Sequence, residues 1–244
     1  MKIIAHRGAS ALAPENTLKA IKRALVSQAA AIEIDVYRNQ DELLVIHDRW
    51  LQRTTDGQGC VQQVPIEDLQ SLDAGDGEQI PTLWQVLQCI NGLCDINIEL
   101  KGSDTPELVI EHIHRSYQEL NFQPQQFLLS SFNHHLLQQI KIDHPEIKTG
   151  ALTSSLPIHY AQFTQDLHAY SIHIDVNFLS KAFIDDAHQR GLKVFVYTVD
   201  EQEEIEHLAQ FGVDGIFSNH PSKSKKIAQG VKHIWAQARQ DKNL

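Results

Sequence analysis

The sequence predicts an α/β protein, specifically a (β/α)8 TIM barrel with a small insertion after its second strand. Three observations carry that reading. Short apolar strand patterns alternate with amphipathic helical ones along most of the chain, the rhythm of a parallel sheet wrapped in helices. The length, 244 residues, is close to the roughly 250 that such a barrel takes. Polar and charged residues also cluster where the apolar strand runs stop, the positions a barrel gathers onto one rim.

The first strand is the apolar run at 3–5, which ends at His6-Arg7-Gly8. Pro14-Glu15-Asn16-Thr17 opens a helix over 14–28, with Leu18, Ile21, Ala24 and Leu25 on its apolar face. The second strand is Ala31-Ile32-Glu33-Ile34-Asp35-Val36, in which apolar and acidic residues alternate. Its two carboxylates leave on one face, roughly 6.5 Å apart. A turn at 39–41 and a further apolar run at 43–46 follow, ending at His47-Asp48. The link is too short for a parallel crossover, so these two strands form a hairpin that returns His47 towards Asp35.

Residues 49–81 read as a polar, irregular excursion over one end of the fold, with a short helical pattern at 66–72. A helix at 82–90 leads to the third barrel strand at 95–101, where Asn97, Glu99 and Lys101 share a face. Strands are then expected at 127–131, 148–152, 170–174, 193–199 and 214–218. Helices fall near 106–119, 134–143, 179–190 and 201–210, with only a weak helical pattern in the link at 157–167. A closing helix at 222–238 carries Lys223, Lys225, Lys226 and Lys232 on its wet face, before a charged tail. All of 1–244 is expected to be one domain, with the insertion at about 49–81.

The net charge of −10 and pI near 5.7 make nucleic acid and anionic membranes poor partners. Cys60, Cys89 and Cys94 show neither paired metal-site spacing nor a disulfide framework. With no stretch apolar enough for a leader or a span, the chain reads as cytoplasmic, without stable membrane association.

The rim of such a barrel holds a distinctive set. His6 and Arg7 follow the first strand, Glu33 and Asp35 end the second, His47 returns on the hairpin, and Glu99 and Lys101 end the third. Three carboxylates crowded together repel unless a cation sits among them. An all-oxygen set suits one divalent cation, Mg2+ or Ca2+, better than zinc. Arg7 and Lys101 suit a phosphate, and two histidines can divide general base and general acid work. Each residue alone has a plainer reading: Arg7 and Lys101 as partners of acids, His173 and Asp175 as solvent-facing polarity. The conjunction describes metal-assisted attack on a phosphodiester.

With these residues the sequence resembles the glycerophosphodiester phosphodiesterase family. The likeness runs through His6-Arg7-Gly8, Pro14-Glu15-Asn16-Thr17, Glu33-x-Asp35, His47-Asp48, Arg53-Thr54-Thr55, Leu72-Asp73-Ala74-Gly75, Ile80-Pro81-Thr82-Leu83, Glu99-Leu100-Lys101 and Gly212-Val213-Asp214-Gly215-Ile216. The resemblance implies Glu33, Asp35 and Glu99 as metal ligands, His6 as proton acceptor and His47 as proton donor. It also implies hydrolysis of a small glycerophosphodiester to sn-glycerol 3-phosphate and an alcohol. Phe132 and Tyr197, at strand ends, are candidates for the substrate wall. The sequence departs from the family at Tyr197-Thr198-Val199-Asp200, where Trp-Thr-Val-Asn is common, and at Ser218-Asn219, where Thr-Asp is usual. The insertion is also short between Gly75 and Ile80. These departures touch the substrate mouth and not the metal ligands. A lipid-cleaving enzyme on the same barrel, such as a lysophospholipase D, and a non-catalytic phosphodiester-binding module are the alternatives.

Overall fold

The computed structural model describes residues 1–240, with side chains through 231. The charged tail at 241–244 and the side chain of Lys232 lie outside the described residues. Nine strands are present among the described residues: β1 (Lys2–Ala5), β2 (Ala31–Asn39), β3 (Glu42–Val45), β4 (Asp95–Leu100), β5 (Phe127–Ser131), β6 (Thr149–Thr153), β7 (Ser171–Asp175), β8 (Lys193–Tyr197) and β9 (Gly215–Ser218). Eight are parallel and run in the order β1-β9-β8-β7-β6-β5-β4-β2, and pairing of β1 with β2 closes the ring. This is the predicted (β/α)8 barrel.

β3 is the exception and pairs antiparallel with β2 from Val36↔Val45 to Asn39↔Glu42. The amide of Ile46 then donates to the carbonyl of Asp35 at 3.0 Å. The hairpin thus returns the chain beside Asp35, as the short link requires.

The helices are α1 (Leu18–Val26), α2 (Ile66–Leu69), α3 (Leu83–Ile90), α4 (Pro106–Glu119), α5 (His134–Asp143), α6 (Gln162–Asp166), α7 (Lys181–Gln189), α8 (Gln202–Phe211) and α9 (Pro221–Gln240). α6 is the short helix of the weakly patterned link. The first helix starts at Leu18 rather than at residue 14, because Asn16 sits at φ 60°, a left-handed conformation that no helix contains. Thr17 is its N-cap and accepts from the amide of Ala20. The strands expected at 148–152, 170–174 and 214–218 each begin one residue later than predicted, and the strand expected at 193–199 ends at Tyr197.

Ile4, Ala31, Phe195 and Phe217 pack together inside the barrel, against Leu128 and Tyr197. Two larger apolar cores join the strands to the surrounding helices. The excursion at 49–81 is not merely polar. Leu51, Val61, Leu69 and Ile80 form a core of its own with Leu44 and Ile46 of the hairpin.

Candidate active site

Parallel register sets the floor of the site. Asp35 pairs with Glu99 and Glu33 with Asn97 across β2 and β4, so the acidic faces of two strands meet inside the barrel. One oxygen from each of Glu33, Asp35 and Glu99 lies within 4.8 Å of the others. All three residues are buried.

Their partners are local. The amide of Arg7 donates to Glu33 Oε2 at 2.8 Å. Asn16 Nδ2 donates to Asp35 Oδ2 at 2.9 Å, while its Oδ1 accepts from the Asp35 amide at 3.3 Å. The left-handed turn at Asn16, which denies α1 its predicted first turn, is therefore what aims this amide at the acid. Lys101 bridges Asp35 at 3.0 Å and also contacts Glu99, and Arg7 Nε lies 3.4 Å from Asp35. Gly8 makes the approach possible: at φ 78°, it presses against α1 so closely that a Cβ would come within 2.7 Å of Ala20 carbonyl carbon.

The two histidines are held differently. His6 Nδ1 lies 2.8 Å from Asn219 Oδ1. Asn219 gives its Nδ2 proton to Asp200 Oδ2 at 2.6 Å and its amide proton to Asp200 Oδ1 at 2.8 Å. The amide orientation is thereby fixed, Oδ1 must accept, and His6 carries its proton on Nδ1. Nε2 is left as an acceptor. His47 donates from Nδ1 to Asp48 Oδ1 at 2.5 Å.

Electrostatics follow the crowding. Burial, then the charges of Asp35 and Glu99, push Glu33 well above the usual carboxylate range. Burial and Asp35 push Glu99 up to about 7. Asp35 is held below its ordinary value: burial opposes this, but Lys101 and Arg7 outweigh it. Burial and the adjacent Arg7 depress His6 to about 4. His47 is also lowered, by burial and Lys101, against the pull of Asp35 and Asp48. Three carboxylates that cannot all ionise on their own are compatible with a divalent cation among them.

His6, Arg7, Glu33, His47, Glu99, Lys101, Phe132 and Tyr197 line one cavity of about 150 Å3. Asp35 stands behind it, 1% exposed. The structure thus brings all nine predicted site residues together. The mouth is divided. Its charged half comes from β1 to β4 and the following loops, while Phe132, Leu152, Tyr197 and Phe217 form an apolar half. Phe132 and Tyr197 meet edge to face at 6.2 Å, and the Tyr197 hydroxyl donates to the Thr153 carbonyl at 2.9 Å.

His173 corrects the sequence reading. It is fully buried in the barrel rather than solvent-facing, bonded through Nε2 to Ser171 Oγ at 2.9 Å. Gly150 leaves room for the ring, since a Cβ there would lie 2.4 Å from Nε2. The period-two pattern of β7 carried the signal, because Ser171, His173 and Asp175 share a face. Sequence reasoning also assigned no role to Glu15, Asn16, Arg53, Asp200 and Asn219, all of which brace the site. Only their place in motifs hinted at them.

Residues 6–223 match the model of the glycerophosphoryl diester phosphodiesterase family. The chain is 36% identical over 230 residues to a glycerophosphodiester phosphodiesterase of Caldanaerobacter subterraneus subsp. tengcongensis, covering 90% of this chain and 94% of that one. It is 32% identical over 235 residues to a putative glycerophosphodiester phosphodiesterase of Bacillus subtilis, covering 91% and 95%. Among solved structures, an Oleispira antarctica phosphodiesterase in complex with the product sn-glycerol-3-phosphate superposes with a TM-score of 0.85 at 30% identity, over 94% of this chain and 97% of that one. With the family model spanning most of its length, the chain belongs to the glycerophosphoryl diester phosphodiesterase family.

Proposed function

We propose that this chain, as one barrel domain, hydrolyses glycerophosphodiesters to sn-glycerol 3-phosphate and an alcohol by metal-dependent His/His acid–base catalysis. The observation that carries the reading is the meeting of two cationic side chains, two histidines and two carboxylates on one cavity, with the third carboxylate, Asp35, clustered behind them.

The acidic cluster fits a divalent cation. Its donors are all oxygens, and Glu33 Oε1 is buried without a hydrogen-bond partner, an arrangement that is costly unless something positive meets it. Glu33, Asp35 and Glu99 would hold Mg2+ or Ca2+, which supplies positive charge to the phosphate. Arg7 and Lys101 flank the same volume and bind the phosphate oxygens. His6, neutral and with Nε2 free, accepts the proton of the attacking hydroxyl. His47, oriented by Asp48, gives a proton to the leaving alcohol. Phe132 and Tyr197 wall the side where that alcohol lies.

A soluble, deacylated diester is the preferred substrate. The net charge of −10 opposes anionic bilayers, and no helix is long and apolar enough to cross a membrane among the described residues. The unpaired Cys60, Cys89 and Cys94 suit a reducing, cytoplasmic compartment. One observation favours a lipid substrate instead: Leu156 and Ile158, in the loop after β6, are 47% and 91% exposed.

The test is release of glycerol 3-phosphate from glycerophosphocholine and glycerophosphoethanolamine, with and without chelator. Chelation is expected to abolish turnover, and Mg2+ or Ca2+ to restore it. Full activity after exhaustive chelation removes the metal assignment. Lysophosphatidylcholine is the discriminating substrate, and cleavage as efficient as that of the deacylated diester replaces this reading with a lysophospholipase D.

A further inference from the structure

No side chain from 49–81 lines the cavity among the described residues, yet the insertion reaches the chemistry through one residue. Arg53 closes a short 3-10 turn, Leu51–Arg53, whose first residue is fully buried in the insertion core. Its guanidinium spans two carboxylates. NH1 donates to Glu15 Oε2 at 2.9 Å, NH2 to Glu15 Oε1 at 2.7 Å, and Nε to Asp48 Oδ2.

Both acceptors are already engaged with the site. Asp48 takes the Nδ1 proton of His47 on its other oxygen at 2.5 Å. Glu15 Oε1 also accepts from Arg7 NH1 at 2.8 Å. One side chain of the insertion therefore braces the partner of His47 and the partner of Arg7 at once. We propose that Arg53 is a positioning residue that holds His47 and Arg7 in register for leaving-group protonation and phosphate binding.

The plainer reading is a surface ion pair, since the Arg53 side chain is 46% exposed. Such pairs add little stability, and a small effect on folding is accordingly expected. Geometry separates the two ideas. A planar fork with three donors placed on two acids fixes orientation. The single ammonium of a lysine cannot reproduce it. Rigid support of a reacting group is where that difference is felt.

The proposal rests on His47 as the proton donor, and the experiment tests the two separately. Turnover is compared for glycerophosphocholine and for a glycerol diester with a p-nitrophenolate leaving group, which needs little protonation. The variants are His47→Ala, Arg53→Gln and Arg53→Lys, with thermal melts alongside. Arg53→Gln is expected to lose about 10- to 100-fold on the choline diester, as loss of an orienting partner does. It should lose distinctly less on the nitrophenyl diester, with KM raised for both and melting little changed. Arg53→Lys should show the same split, and it carries the comparison if the Gln variant does not fold. Equal losses on the two substrates, no loss, or full rescue by Lys overturns the role of Arg53 when His47→Ala shows the split. If His47→Ala itself loses equally on both, the assignment of His47 as acid fails and the proposal falls with it.

Discussion

The neutral amide of Asn219 decides how His6 can act. An acceptor that carries no charge fixes the proton on Nδ1 and favours the imidazolium less than burial and Arg7 oppose it, so the ring stays at about 4. His6 is therefore unprotonated and ready to accept a proton over the whole neutral range. Placing a carboxylate there, Asn219→Asp, adds a charge that favours the protonated ring and raises its pKa. The proposed role of His6 as proton acceptor requires the neutral ring, so the acid limb of kcat/KM is expected to move to higher pH, with a parallel rise in the His6 titration followed by NMR. An unmoved limb in a folded variant refutes the role of Asn219.

At the scale of elements, the insertion and the barrel are separately cored. Leu69 is fully buried in the insertion, so Leu69→Ala should cost about 2–5 kcal/mol of local stability. Hydrogen exchange is expected to quicken across 49–81 while amides of β4 to β9 stay protected; uniform loss of protection contradicts this. That core is only partly legible in the sequence: Leu69 falls in the helical pattern at 66–72, but Leu51, Val61 and Ile80 are isolated among polar residues, without a helix or strand period to join them. The strands were legible for the opposite reason. Glu33 and Asp35 alternate with fully buried Ile32, Ile34 and Val36, so period and chemistry coincide. Asn16 shows where pattern fails. Its capping-type sequence suggests a helix start, whereas its work is done from a left-handed turn whose purpose, the bond to Asp35, joins residues nineteen apart. Long-range braces such as Asn219 to His6 leave no local period to read.

For the molecule as a whole, the acidic cluster couples folding to pH. In the unfolded chain Glu33 and Glu99 titrate near 4.5, whereas in the metal-free native protein Glu33 is raised well above that and Glu99 to about 7. Between those values the native state holds more protons than the unfolded one, so stability of the metal-free protein falls as pH rises through the window. Asp35, held low by Lys101 and Arg7 against its burial, works in the opposite sense: its contribution is lost only as pH falls below the ordinary aspartate range. A bound cation removes the cause of the raised values. Its binding must expel protons from the two glutamates, and its affinity should climb with pH through about 7, where Glu99 titrates. The expected result is a melting temperature that declines for chelated protein between about pH 5 and 7.5 but not for protein saturated with Mg2+ or Ca2+, so that the two curves diverge. Calorimetric titration in buffers of different ionisation enthalpy should register the released protons near neutral pH. Parallel melting curves, or binding without proton release, would mean that the three acids do not share the cation.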